Sequence, residues 1–120
     1  MDGFDHEKLD VYRLAVQLVG WVGEVVDSGD QPGKRLAALT HLDAASQSVI
    51  NNIAEGNGKR SRRDRARFLE IARGSALECG ACLDGLVARK RLDPTRAAGG
   101  KVLLVRVVQM LSKMIETLSS

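Results

Sequence analysis

The sequence predicts an all-α fold: an antiparallel, up-down-up-down four-helix bundle filling a single domain over residues 1–120. Three observations predict it. Apolar residues recur at steps of three and four in four successive segments, and short breaks bearing Gly or Pro separate those segments. No segment alternates apolar and polar residues with the period of two that a half-buried strand requires. Helices of about 20 residues joined by short loops pack most simply as neighbours of alternating direction. With 44% apolar residues the chain can bury one core.

The first helix is predicted over residues 8–27, on the stripe Tyr12, Ala15, Val19, Val22 and Val26, widened by Leu18 and Val25. The run "SGDQPG" stops it with two glycines and a proline. The second helix, 34–55, carries Leu36, Leu39, Val49, Ile50 and Ile53, with a polar and small-residue middle, and "GNGKR" ends it. The third helix, 62–91, begins at Ser61-Arg62-Arg63-Asp64, a capping box with Ser61 as N-cap and Asp64 reaching back to it. Behind it Phe68, Ala72, Ser75, Cys79, Cys82 and Leu86 form a coiled-coil-like seam, flanked by Leu69, Ala76 and Leu83. Small residues at its centre allow a neighbouring helix to approach closely. The fourth helix, 95–118, has Leu104, Val107, Val108, Leu111, Met114, Ile115 and Leu118 inward, and Gly99-Gly100 weakening its first turns. Val102, Leu103 and Val105 carry apolar character round most of this helix, which suggests burial against a second subunit.

Charge is distributed unevenly. The chain as a whole is +3, but residues 59–73 set seven cations against only Asp64 and Glu70, a local +5 that leaves about −2 elsewhere. Lys59, Arg60, Arg62, Arg63, Arg65 and Arg67 fall at the junction of the second and third helices, and Arg63 and Arg67 share one face. Cations at a helix N-terminus oppose the macrodipole, so local helix stability does not ask for them. Binding a phosphate backbone would; so, more plainly, would solubility or pairing with acids on a neighbouring subunit. Aromatics are only 3%, which disfavours reading single-stranded bases by stacking.

Other arrangements point to less. Cys79 and Cys82 have redox-site spacing but lie deep in a helix and on its seam, so they read as buried, reduced, small apolar residues. Only His6 and His41 are at hand to complete a zinc site, without paired spacing, so neither a metal nor a cofactor is expected. Gly56-Asn57-Gly58-Lys59 lacks the spacing and the preceding strand of a nucleotide-binding loop, and reads as a helix end followed by a linker. Glu55, in an unfavourable last-turn position, is a candidate ion-pair partner for Arg73. No Ser lies near a His, and no paired carboxylates are evident, so no catalytic residue is assigned. A remaining enzymatic option would use the polar middle of the second helix, His41, Asp43, Gln47 and Asn51, inside the bundle. Neither a membrane-spanning stretch nor a signal-peptide core is evident, which predicts a cytoplasmic protein.

The run "NNIAEGNGKRSRRDRARFLEIARGSALE" and the opening "FDHEKLDVYRLAVQL" together resemble the four-helix bundle proteins encoded within intervening sequences of bacterial 23S ribosomal RNA genes. The matching positions include Asn52, Ile53, Ala54, Glu55, Gly56, Gly58, Ser61, Phe68, Leu69, Ala72, Arg73, Gly74, Ser75 and Glu78, none of them catalytic in that family. The resemblance implies a left-handed bundle that assembles as a homopentamer. It extends to the accessory variability determinant of diversity-generating retroelements, a basic pentameric barrel that works with a reverse transcriptase and nucleic acid. The stretch "ALECGACLDG" departs from the family pattern, with glycines and cysteines in place of larger residues. The combined expectation is a non-enzymatic oligomer that binds nucleic acid, RNA before DNA, through residues 59–67. The alternative is a protein-interaction adaptor or scaffold subunit.

Overall fold

A computed structural model describes residues 5–29 and 36–119. Among them the chain forms four α-helices and no strand: α1 (Asp10–Gly29), α2 (Ala37–Gly58), α3 (Arg62–Ala88) and α4 (Pro94–Ser119), preceded by one 3₁₀ turn, Asp5–Lys8. Phe4 of the opening motif, most of the "SGDQPG" break and the expected start of the second helix at Lys34 lie outside the described residues. A helix the length of α3 spans about 40 Å, close to the 45 Å long axis of the molecule. The four helices share one core.

The core line of α1 is Val11, Leu14, Ala15, Leu18, Val22, Val25 and Val26, while Tyr12 and Val19 of the expected stripe are half-buried at its edge. In α2 the polar middle does take part: Leu42, Ala45 and Ser46 are buried with Leu39, Val49 and Ile53. Ser46 tolerates full burial because its hydroxyl donates to the Asp43 carbonyl at 2.9 Å. The seam of α3 is displaced by one position at several steps. Leu69, Ala72, Ala76, Cys79, Leu83 and Leu86 are buried, an unbroken three-four alternation, whereas Phe68, Ser75 and Cys82 lie at the margin. A face flanked by Phe68 and Leu69 has two apolar candidates one residue apart, and packing selects the aliphatic one.

α2 and α3 are drawn together by small residues. Ser48 and Ser75 bring their hydroxyls to 2.8 Å across the interface, and the Asn52 amide donates to the Ser48 carbonyl at 2.8 Å. At Gly56 a β-carbon would stand 3.2 Å from the Arg65 carbonyl oxygen and 3.2 Å from the Phe68 Cβ. α2 continues through both Gly56 and Gly58 before Lys59 ends it, so these glycines do not cap the helix. Gly56 serves close approach instead. Gly58 meets nothing within 4 Å.

The left-handed position at a helix end falls elsewhere, on Lys90, with φ of 59°. Its amide donates to the Val87 carbonyl and that of Arg91 to the Leu86 carbonyl, the paired bonds of a Schellman termination of α3. A lysine there carries a β-carbon penalty that glycine lacks. Lys90→Gly is therefore expected to raise stability by about 1 kcal/mol, read as an increased midpoint of urea unfolding at unchanged slope.

Candidate functional site

The junction of α2 and α3 is built by the first turn of α3. Ser61 caps it, its Oγ accepting from the Asp64 amide at 3.0 Å. This turn lies against the far end of α4. Arg62 donates through Nη2 to the Thr117 carbonyl at 2.6 Å and through Nε to the Leu118 carbonyl at 3.3 Å. The cation is thus at the N-terminus of its own helix and at the C-terminus of another, where unsatisfied carbonyls and the negative dipole end favour it. Local helix stability does not ask for a cation here, as expected, but the end of α4 does in the case of Arg62.

The other five cations divide in the same way. Arg65 donates Nε to the Lys59 carbonyl at 2.7 Å, tying the first turn of α3 to the end of α2. Lys59 pairs with Glu55 at 3.6 Å and sits 5.0 Å from the centre of the Phe68 ring. Arg67 covers the Phe68 ring at 4.9 Å. Arg60 and Arg63 are exposed and make no hydrogen bond or ion pair among the described residues. Arg60, Arg63 and Arg67 are therefore the guanidiniums most open to an external ligand. All six remain at one end of the molecule, the five arginines exposed and Lys59 half-buried.

The proposed Glu55–Arg73 pair does not form. Glu55 pairs with Lys59 one turn later, and the half-buried Arg73 donates Nε to the Ser112 hydroxyl of α4 at 2.8 Å. An i,i+4 partner is always within reach of a last-turn acid, whereas Arg73 lies on the α4 side of its helix. His41, Asp43, Gln47 and Asn51 are all exposed, so the polar set on α2 is on the outside of the bundle. Gln47 and Asn51 bond each other at 3.0 Å. Among the described residues no group of three or more His, Cys, Asp or Glu side chains is placed to hold a metal ion.

Cys79 is fully buried and Cys82 half-buried, both as free thiols. Burial, with Cys82 and Glu78 nearby, pushes the Cys79 thiol from its ordinary value of 9.0 up to about 12, and burial followed by Glu78 raises Cys82. The thiolate is the nucleophile, so neither is primed for redox work. One alkylation per chain, at Cys82, is expected by mass spectrometry after iodoacetamide treatment of the folded protein at mildly alkaline pH. Unfolding releases the second. The same shift makes Cys79 a source of alkaline sensitivity. The folded state holds a proton that the unfolded state releases from about pH 9, so its contribution is intact below that value and is lost progressively toward about pH 12.

Lys113, on α4 near the same end, is a cation that the sequence reading passed over. Its one legible signal is its place between Leu111 and Met114, both expected on the inner face.

Three comparisons bear on this arrangement. Residues 7–113 match a family model described as 23S rRNA-intervening sequence protein. No curated protein matches significantly. Among solved structures, the chain is similar to a protein of unknown function from Bacteroides thetaiotaomicron, of the S23 ribosomal protein family, determined at 1.70 Å resolution. That similarity has a TM-score of 0.82 at 17% identity, covering 88% of this chain and 97% of the other, and it speaks to the fold alone.

Proposed function

Since the chain belongs to the 23S rRNA-intervening sequence protein family, we propose that it is a non-enzymatic, cytoplasmic, oligomeric helical bundle that binds nucleic acid, RNA before DNA. The bundle is read as antiparallel, up-down-up-down and left-handed. Arg62 at the start of α3 reaching the end of α4, and Asp84 late in α3 pairing with Lys101 early in α4, support alternating direction. The single observation that carries the functional reading is the set of exposed guanidiniums at one end, Arg60, Arg63 and Arg67. Self-association multiplies the patch; in a pentamer, five copies make a ring of concentrated positive potential, and weak contacts become multivalent. A reverse transcriptase is a candidate protein partner by resemblance.

Such binding is largely sequence-independent and salt-sensitive. Affinity for a single-stranded RNA is expected to fall by orders of magnitude between about 50 and 200 mM salt, with a slope of roughly −0.7 per phosphate neutralised. Fluorescence anisotropy at several salt concentrations measures it, and a salt-independent affinity or none at about 50 mM would defeat the reading. Light-scattering mass together with the ultraviolet absorbance ratio of the purified protein reports the oligomer and any co-purifying nucleic acid.

The adaptor alternative draws on a different observation. Leu77 of α3 and Val102 and Val105 of α4 are more than half exposed, an apolar surface suited to a protein partner or a second copy. A protein captured equally well after nuclease treatment, by a protein that shows no affinity for RNA, favours that reading.

A further inference from the structure

At the arginine-bearing end of the molecule α2, α3 and α4, with Leu9 just ahead of α1, border a cavity of about 490 Å³, within the range of small-molecule sites. Its walls are Leu9, Ile53, Leu69, Met110, Met114 and Leu118. Ile53 and Leu69 form a buried floor, and the other four are half-exposed around it. The polar residues among those lining it are Arg65, Lys113, Asn57 and Thr117, and no acidic residue lines it.

The two cations are not consumed by the fold. Lys113 is exposed, and its ammonium has no hydrogen-bonded or ion-paired partner among the described residues. Arg65 spends Nε on the Lys59 carbonyl, which leaves its terminal nitrogens as donors. The N-terminus of α3 stands at the same edge but faces the C-terminal ends of α2 and α4, so the positive potential there is carried by the two side chains. An uncharged apolar ligand would leave that potential unanswered, and an inorganic anion would leave the aliphatic walls wet. Unbranched, polarisable methionines can conform to a flexible alkyl chain.

We propose that this cavity binds a free single-chain alkyl anion, its head group on Lys113 and Arg65 and its chain along Met110, Met114 and Leu118. The site is separate from the exposed guanidiniums of Arg60, Arg63 and Arg67, so it stands or falls independently of nucleic-acid binding.

The test titrates the full chain with octanoate and decanoate below their micellar concentrations, following the ¹³C-methionine methyl signals. The chain has three methionines, so the Met110 and Met114 signals are readily assigned. Both are expected to shift, with affinity rising roughly two- to fourfold per added methylene. Decanoate should bind at least about tenfold tighter than decanol, and Lys113→Glu should erase that preference while leaving decanol unchanged. A circular dichroism spectrum and melting curve matching the parent show that the variant is folded. Three results overturn the proposal: unmoved methionine signals, decanol binding as tightly as decanoate, or an unchanged decanoate affinity in Lys113→Glu. Vesicles of an anionic phospholipid form the last arm. Binding to them without binding to free decanoate would point to a membrane surface and overturn it as well.

Discussion

Replacing Arg60, Arg63 and Arg67 together with alanine is expected to weaken RNA binding about a hundredfold near 100 mM salt and to flatten its salt dependence by roughly two units. The same variant should melt within a few degrees of the parent, because among the described residues the Arg60 and Arg63 side chains bond nothing and Arg67 only covers Phe68. Arg62→Ala should behave in the opposite way. It loses two bonds to the carbonyls that end α4, at a cost of about 1 kcal/mol, and should change RNA affinity much less than the triple variant. The contrast separates a phosphate-binding surface from a structural cap. A triple variant that binds RNA as tightly as the parent would remove the arginines as the binding surface. Equal losses of affinity in both variants would show that the division of roles drawn from the hydrogen bonds is wrong.

The adjacent glycines of α4 should respond to alanine with opposite signs. Gly99 is exposed and a β-carbon there meets nothing within 4 Å, so Gly99→Ala gains helix propensity and should stabilise by about 0.5–1 kcal/mol. At Gly100 a β-carbon would stand 2.3, 2.5 and 2.6 Å from three atoms of the Trp21 ring. The indole must leave its place against α4, and overpacking of this kind costs about 1–3 kcal/mol, more than the propensity gain returns at its upper end. Gly100→Val, bulkier and stiffer at χ1, should cost more than Gly100→Ala. Trp21 is the chain's single tryptophan, so its emission should shift to the red as the ring moves toward water. Thermal melts and fluorescence of the four proteins decide it, and a stabilised Gly100→Ala with unshifted emission would refute the close packing. The pair also corrects the reading of Gly99-Gly100 as a mere weakness in the helix. One glycine is a cost, the other a requirement of packing.

Much of the fold was legible because helix formation is local. The four helices lie within a few residues of their expected ranges where described, and Ser61 caps α3 as the box predicts. The family was legible in the long motif spanning the α2–α3 junction, and the matched residues 7–113 bear that out. Less legible were the ends: α2 extends three residues past its expected stop, because two glycines in the last turn are tolerated when one of them permits a neighbour's approach. Least legible was the division of the arginines. Arg62 and Arg63 are adjacent and chemically identical, and nothing within the segment says that one caps a helix 55 positions away while the other is left to solvent.

Sequence by itself therefore determined the helical content, the approximate lengths, the cap of α3, the local excess of charge and the family. These follow from the period of the apolar residues and from short-range backbone chemistry, which neighbours along the chain suffice to set. Tertiary structure alone decided which of two adjacent apolar residues enters the seam of α3, why a neighbour comes close at Gly56 and Gly100, which arginines are bound by the fold, and where Lys113 and the methionines of α4 line a cavity. Each of these depends on what a second helix brings to the same place, and helix–helix contact is a property of packing in space that no local period records.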